Sequence, residues 1–180
     1  VRTVLGQQVS VAAARTAATR MTAALGEPLP AELTGPGPDE PGLLFPDPAT
    51  IAERGHEVLA GPARRISTVL GVCAELAAGR LVLDPGCDPD ELRARLLAQP
   101  GIGPWSAGYL AMRVLGDPDE LLASDLGVRH GAAALGLPAD APGLTAHARR
   151  WAPWRSYAAT HLWRCAAAGP DRIHPVPVAG

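Results

Sequence analysis

The sequence predicts an all-α fold, built as one helical domain over residues 1–168 with a tail over 169–180. Apolar residues recur at helical spacing through most of the chain, and no alternating run of β-branched residues exceeds about four positions. Clusters of proline and glycine separate the apolar segments. No apolar run approaches the ~18 residues that a membrane span needs, so we expect no membrane partner.

The first predicted element is a helix whose apolar stripe begins at Val4 and which runs to about Leu25. Gly26 and Pro28 end it, because neither residue favours a helix interior. The stretch 26–48 is rich in proline and glycine and is predicted to be a long irregular loop within one body.

A short helix is predicted over Pro48–Arg54 and a strongly amphipathic one over about Pro62–Ala78. Two motifs, beginning at Asp88 and Asp117, each offer a capping aspartate, a proline for the first turn and acids at the positive helix end. The first motif predicts a helix that ends near Ala98. The second predicts either a helix start or only a turn.

The last third of the chain is predicted to hold three helices, with a Pro/Gly loop after the first and a frayed proline-containing tail at the end. Their expected ranges are about Asp125–Leu135, Leu144–Trp151 and Trp154–Ala168.

Charge and cysteine content exclude several function classes. The formal net charge is −2, so binding to nucleic acid would depend on a local binding feature and not on an overall positive charge. The three cysteines form no CxxC pair, which argues against a disulfide framework, a zinc knuckle or a four-cysteine iron–sulfur cluster. We therefore expect a protein of the reducing cytoplasm. The chain opens on Val1 inside a helical pattern, so we expect a fragment or a processed piece.

The turn over residues 99–105 has the composition of an anion-binding corner. Gly101 and Gly103 let the backbone turn sharply and approach another molecule, and Ile102 can tuck under the turn. Pro104 suits the first position of a helix. Such a corner presents backbone N–H groups that can bind a phosphate. The alternative interpretation is a plain tight turn between two helices.

Three separated segments resemble the helix-hairpin-helix DNA glycosylase superfamily, and in particular its bacterial alkylpurine branch. They are Val4–Ala13, Pro100–Asp125, and Trp151–Ala158 together with His161–Trp163. The resemblance implies the all-α glycosylase fold and double-stranded DNA with alkylated bases as partner. It also implies that the mixed α/β domain usual before the first segment lies outside these residues, as does the fused domain that some relatives carry.

The resemblance implies that Asp125 is the catalytic carboxylate, beside the oxocarbenium-like sugar of the reacting nucleotide. The alternative is that Asp125 only caps the helix that begins at Leu126. Both roles can hold together, because a helix N-terminus stabilises a negative charge. Ser124 departs from relatives that carry a second acid at this position.

The resemblance further implies a base pocket formed by Trp105, Tyr109 and Trp163, whose rings suit a cationic alkylated purine. For Met112 and Leu115, on the same helical stripe, a plain core position is the preferred interpretation. Bifunctional relatives carry an amine nucleophile at the position of Trp105. This chain has no lysine at all, so the expected chemistry is monofunctional hydrolysis by water.

The residues expected to contact DNA share a position on the hairpin or on the opening segment. They are Gln7, Gln8, Gly101, Ile102, Gly103 and Ser106. Gln7 and Gln8 lie where relatives place the group that fills the gap left by the extruded nucleotide, although two glutamines can also simply face water. By resemblance, the backbone carbonyls of Leu97, Gln99 and Ile102 would hold a structural Na⁺ or K⁺, and no other cofactor is expected.

Two further groupings are interpreted as structural. His161 and Cys165 have the spacing of two metal ligands without a third, so we expect a structural pair. Three arginines that flank two neighbouring tryptophans form a solvated face that could touch phosphate: Arg149, Arg150 and Arg155. The resemblance and the absence of lysine therefore imply a monofunctional glycosylase for alkylated purines, acting as a nucleoid-associated monomer. The alternatives are a non-catalytic DNA-binding module and a glycosylase for a deaminated or oxidised base.

Overall fold

A computed structural model describes residues 1–7, 9–33 and 42–168, and over these residues it confirms the all-α prediction. The described residues form no β-strand beyond a single bridge between Pro28 and Leu43. Gln8 and the predicted tail over 169–180 lie outside the described residues. The α-helices are α1 (Arg2–Leu5), α2 (Val11–Leu25), α3 (Pro48–Arg54), α4 (Ala63–Ala77), α5 (Pro89–Leu97), α6 (Pro104–Leu110), α7 (Leu126–Ala134), α8 (Ala141–His147) and α9 (Arg155–Ala168).

The chain divides into two compact units, Val1–Ser106 and Ala107–Gly180. Shorter helical turns complete them: 3₁₀ turns at Ala31–Leu33, Gly55–Glu57 and Ala148–Trp151, and a π-helical turn at Ala111–Leu115. Among the described residues, no helix is long and apolar enough to cross a membrane.

The opening segment holds two helices where the sequence predicted one. Ser10 takes an extended conformation, with φ −67° and ψ 155°, between α1 and α2. Its hydroxyl accepts a hydrogen bond from the N–H of Ala13 at 3.2 Å. Because a serine in this geometry caps a new helix, the apolar stripe continues across a break. The prediction of one helix from Val4 to Leu25 was wrong for this reason.

The first unit is built around α4, whose bounds confirm the predicted amphipathic helix to within one residue at each end. Val69 and Cys73 of α4 are buried, together with Ile51 of α3 and Met21 of α2. The bounds of α3 are those predicted, because Asp47 accepts hydrogen bonds from the first turn and Pro48 begins the helix.

The two acidic-proline motifs behave differently. Asp88 caps α5 by accepting the N–H groups of Asp90 and Glu91, which confirms that prediction. At Asp117 the carboxylate accepts the N–H of Asp119 at 2.8 Å and no helix follows, so this motif forms a turn.

The second unit packs α7 directly against α9. An added Cβ at Gly131 of α7 would overlap the backbone carbonyl of Leu162 in α9, so only glycine permits this approach. α8 begins earlier than predicted because Asp140 accepts the N–H of Gly143 at 2.8 Å and caps it. The buried cluster of this unit consists of Leu121, Val128, Ala132, Leu144, Ala148, Ala159 and Leu162.

Candidate functional site

Asp125 lies at the N-terminus of α7, where its Oδ1 accepts the N–H of Val128 at 2.9 Å. Just before it, Leu122 has φ +56°, a left-handed conformation that is unusual for a side chain branched beyond Cβ. The carbonyl of Leu122 accepts the N–H of Asp125 at 2.8 Å, which closes a tight turn. The capping interpretation of Asp125 is therefore confirmed. It leaves the catalytic interpretation open.

Trp163 of α9 places its indole against the same carboxylate. Its Nε1–H donates to Oδ1 of Asp125 at 2.7 Å. Both hydrogen bonds thus converge on one oxygen, and together with the helix N-terminus they stabilise a negative charge there. Gly127 provides the space for this contact, because an added Cβ would lie 2.9 Å from Cδ1 of Trp163 and 3.1 Å from Oδ1 of Asp125.

Tyr109 continues the aromatic surface beyond Trp163. The two rings meet edge to face, with centroids 6.1 Å apart and an interplanar angle of 68°. The guanidinium of Arg113 lies 5.6 Å from the centroid of the tyrosine ring. The second unit therefore brings together a carboxylate and two of the three predicted pocket aromatics.

The segment that leads to Asp125 is tied to the first turn of α9. Ser156, which is buried, donates from Oγ to the carbonyl of Asp117 at 2.6 Å and accepts the N–H of Glu120 at 2.9 Å. Arg155 forms a bidentate ion pair with Asp119, with both N···O distances at 2.6 Å. These hydrogen bonds from the guanidinium hold the pKa of the Asp119 carboxyl below its usual value.

The hairpin belongs to the first unit and has the predicted conformation. Gly101 has φ +85°, and an added Cβ there would overlap the side chain of Thr68 in α4. Ile102 is buried under the turn and donates its N–H to the carbonyl of Gln99 at 3.0 Å. Around Gly103 no heavy atom would lie within 4 Å of an added Cβ, so this face of the turn is open.

Gln7 and Ser106 have partners inside the first unit. The side-chain amide of Gln7 donates to Oγ of Ser106 at 2.8 Å and to the carbonyl of Gly101 at 3.2 Å. Ser106 is buried, and its contact with DNA stays a prediction. The amide of Gln7 binds the hairpin in this structure. A gap-filling role for Gln7 stays a prediction, as it does for Gln8.

The remaining predicted residues are placed as follows. Trp105 is half-buried at the start of α6 in the first unit, and its place in the base pocket stays a prediction. The Nε2 atom of His161 lies 3.6 Å from Sγ of Cys165, so the two side chains contact each other as a pair. Within the described ranges, no group of three His, Cys, Asp or Glu side chains could hold a metal ion. Arg155 is engaged by Asp119, so it does not belong to a freely solvated arginine face.

Sequence reasoning missed Gly127, Leu122 and Ser156 as supports of the carboxylate. A glycine two positions after a capping aspartate is a weak signal for close packing, because glycine also occurs there for other reasons. The sequence carried no signal for the left-handed leucine. The partner loop of Ser156 lies 36 to 39 residues away, beyond the reach of any local pattern.

Comparison with known proteins gives several relatives, although no protein-family model matches the chain. Over 166 residues it is 50% identical to a Mycobacterium tuberculosis protein named "Probable bifunctional transcriptional activator/DNA repair enzyme AlkA", covering 91% of this chain and 32% of the relative. It is 31% identical over 176 residues to Escherichia coli "DNA-3-methyladenine glycosylase 2", covering 95% of this chain and 58% of the relative. The chain thus spans between a third and three-fifths of these relatives.

Among solved structures, the fold matches the Schizosaccharomyces pombe 3-methyladenine DNA glycosylase in complex with abasic DNA. The TM-score is 0.71 at 24% identity, and the match covers 91% of this chain and 76% of that one. At this identity the likeness establishes the fold alone, whereas the sequence relatives establish the kinship. The chain is therefore similar in sequence to AlkA-type 3-methyladenine DNA glycosylases, in agreement with the resemblance to the helix-hairpin-helix glycosylase superfamily, and it shares their helical fold.

Proposed function

We propose that this chain is the catalytic region of a DNA glycosylase that removes alkylated purines, such as 3-methyladenine and 7-methylguanine, from duplex DNA. The observation that carries the proposal is the hydrogen bond between Asp125 and Trp163, with Tyr109 at the edge of the same indole. This arrangement places the Asp125 carboxylate beside the rings of Trp163 and Tyr109, which together form an aromatic wall. The names of the relatives agree with this activity.

The aromatic wall suits the base. A purine alkylated at N3 or N7 carries a positive charge, which the faces of tryptophan and tyrosine attract by roughly 0.5 to 2 kcal/mol per contact. The base must leave the duplex to reach such a pocket, and an alkylated base is a good leaving group. We expect Trp105 to complete this pocket.

The carboxylate suits the sugar. As the bond from C1′ to the base nitrogen breaks, its electron pair leaves with the purine, which loses its positive charge. The sugar becomes an oxocarbenium ion that Asp125 stabilises, and a water oxygen then bonds to C1′. The water proton goes to Asp125 or to solvent, and an abasic site remains. Because the chain contains no lysine, no lysine Schiff base forms and the strand stays intact.

The hairpin suits the DNA backbone. Gly103 leaves open space on its face of the turn, so a phosphate can approach the backbone N–H groups there. Gln99 accepts one hydrogen bond at its carbonyl, and a carbonyl oxygen has two lone pairs. The neutral oxygens of Leu97, Gln99 and Ile102 are the groups that would hold a monovalent cation, and the cation would add positive charge at the hairpin.

The test is release of free 3-methyladenine or 7-methylguanine from methylated duplex DNA by the wild-type chain and by Asp125→Asn. Asparagine retains the capping oxygen and removes the charge. We expect the single-turnover rate to fall by about 10²-fold or more, with DNA affinity nearly unchanged. No covalent adduct should be trapped by borohydride. Equal rates in the two proteins would refute the catalytic role of Asp125, and DNA binding without base release would favour a non-catalytic module.

A further inference from the structure

Residues 117–125 form a segment without helix that ends at Asp125, and α9 holds this segment at both of its ends. At the near end, the backbone N–H of Ser156 donates to the carbonyl of Pro118 at 2.8 Å. The Ser156 hydroxyl adds its bonds to Asp117 and Glu120, so one residue that is 6% exposed makes three hydrogen bonds to the segment.

Arg155 strengthens the same end. Besides its bidentate side-chain pair, its backbone N–H donates to Oδ1 of Asp119 at 3.2 Å. A planar guanidinium that meets both carboxylate oxygens fixes the orientation of the partner as well as its distance. The half-exposed setting makes this pair a geometric restraint more than a source of stability.

At the far end, α9 reaches the carboxylate itself through Trp163. Ser156 and Trp163 lie on one continuous helix, seven residues and therefore about 10 Å apart along its axis. Between the two ends, the buried side chain of Leu122 holds its left-handed backbone in place. The 117–125 segment is thus held at both ends by one helix, α9.

We propose that Arg155 and Ser156 are positioning residues for Asp125: by fixing the start of the 117–125 segment on α9, they hold the carboxylate in register with Trp163 of the same helix. The catalytic consequence rests on the function proposed above. A misplacement of the carboxylate by about 1 Å can cost about 10²-fold in rate.

The first test is spectroscopic and needs no activity. The indole N–H resonance of Trp163, assigned by its loss in Trp163→Phe, reports the hydrogen bond to Asp125. We expect it to move toward the frequency of a solvent-bonded indole in Ser156→Ala and in Arg155→Gln. Thr160→Ala is the matched control, because Thr160 lies one turn along the same helix and its hydroxyl donates only to the helix carbonyl of Ser156. That variant should leave the resonance in place.

The second test measures base release in single turnovers, corrected for the folded fraction from thermal unfolding. We expect Ser156→Ala and Arg155→Gln to lose about tenfold in rate, with less than a twofold change in DNA affinity, and Thr160→Ala to lose nothing. If the Trp163 resonance is unchanged in both Ser156→Ala and Arg155→Gln, the positioning role is refuted. If the wild type releases no base, the proposed function fails while the resonance still decides the positioning role.

Discussion

Three helical glycines differ in what surrounds them, and replacing each by alanine should give three different outcomes. At Gly127, the added Cβ would lie 2.9 Å from Cδ1 of Trp163, so the indole must retreat by about 0.5 Å to reach the 3.4 Å of ordinary contact. This movement lengthens the 2.7 Å hydrogen bond to Asp125. If 1 Å of misplacement costs about 10²-fold, half of that costs about tenfold in the rate of base release.

Substitutions of the two other glycines serve as controls for the effect expected of Gly127→Ala. Gly71 lies inside α4, and an added Cβ there would meet nothing within 4 Å. Gly71→Ala should therefore only gain helix propensity, about 0.5 to 1 kcal/mol, and raise the unfolding temperature by a few degrees with unchanged activity. Gly131→Ala would force the Cβ into the backbone of Leu162, and overpacking of this kind costs about 1 to 3 kcal/mol or more.

The assays are thermal unfolding and single-turnover release of 7-methylguanine from methylated DNA. Gly127→Ala is expected to change the free energy of unfolding by less than about 1 kcal/mol, because a gain in helix propensity offsets part of the displacement. Its rate should nevertheless fall about tenfold. A Gly127→Ala protein with the wild-type rate, or one that loses rate only in proportion to its unfolded fraction, would refute the reasoning.

Gln7→Ala removes the donor to Gly101 and Ser106 and should lower the free energy of unfolding by about 1 to 2 kcal/mol. Gln7→Glu should be worse, because it loses the same donor and also places a part-buried negative charge against the Gly101 carbonyl oxygen. Thermal unfolding in which the glutamate variant is the more stable would contradict this. Gly103→Ala should leave the unfolding temperature unchanged, since the added Cβ occupies only the open face of the turn. It should weaken DNA binding, measured by fluorescence anisotropy, by about tenfold. Unchanged affinity would refute the proposed contact between the hairpin and DNA. Because Arg155 lowers the pKa of Asp119, the pair stabilises the fold above the unfolded pKa of about 3.9 and loses this contribution as pH falls through the folded value. The difference in unfolding temperature between wild type and Asp119→Asn should thus stay constant from pH 7 to about pH 5 and shrink below about pH 4, and a difference that grows on acidification would be the wrong sign.

Local chemistry accounts for what the sequence could predict. Asp47 and Asp88 cap their helices by accepting backbone N–H groups two or three positions further along the chain. The starts of α3 and α5 can therefore be predicted from neighbouring residues. The same holds for the hairpin, where the positive φ of Gly101 follows from a turn of a few residues. The break at Ser10 was equally local and was missed because the apolar stripe continues across it.

The unpredicted side-chain contacts of Gln7 and Trp163 join residues that are distant in sequence. Gln7 reaches Ser106 across 99 positions, and Trp163 reaches Asp125 across 38. No periodicity or capping rule specifies such pairs, because they depend on which helix faces pack. The resemblance to known glycosylases named Trp163 as a pocket residue, and the geometry adds that its N–H donates to the carboxylate.

Capping and catalysis make compatible demands on Asp125. A cap requires the carboxylate to accept N–H donors at a helix N-terminus, and stabilising an oxocarbenium ion requires a carboxylate that stays charged and still. The bonds from Val128 and Trp163 serve both roles, because two donors on one oxygen restrain the position of the carboxylate. Asp125→Ala would remove cap and charge together, and the lost cap alone costs about 1 kcal/mol. Only Asp125→Asn separates the two, so a stable but inactive asparagine variant is the outcome that distinguishes a catalytic cap from a structural one.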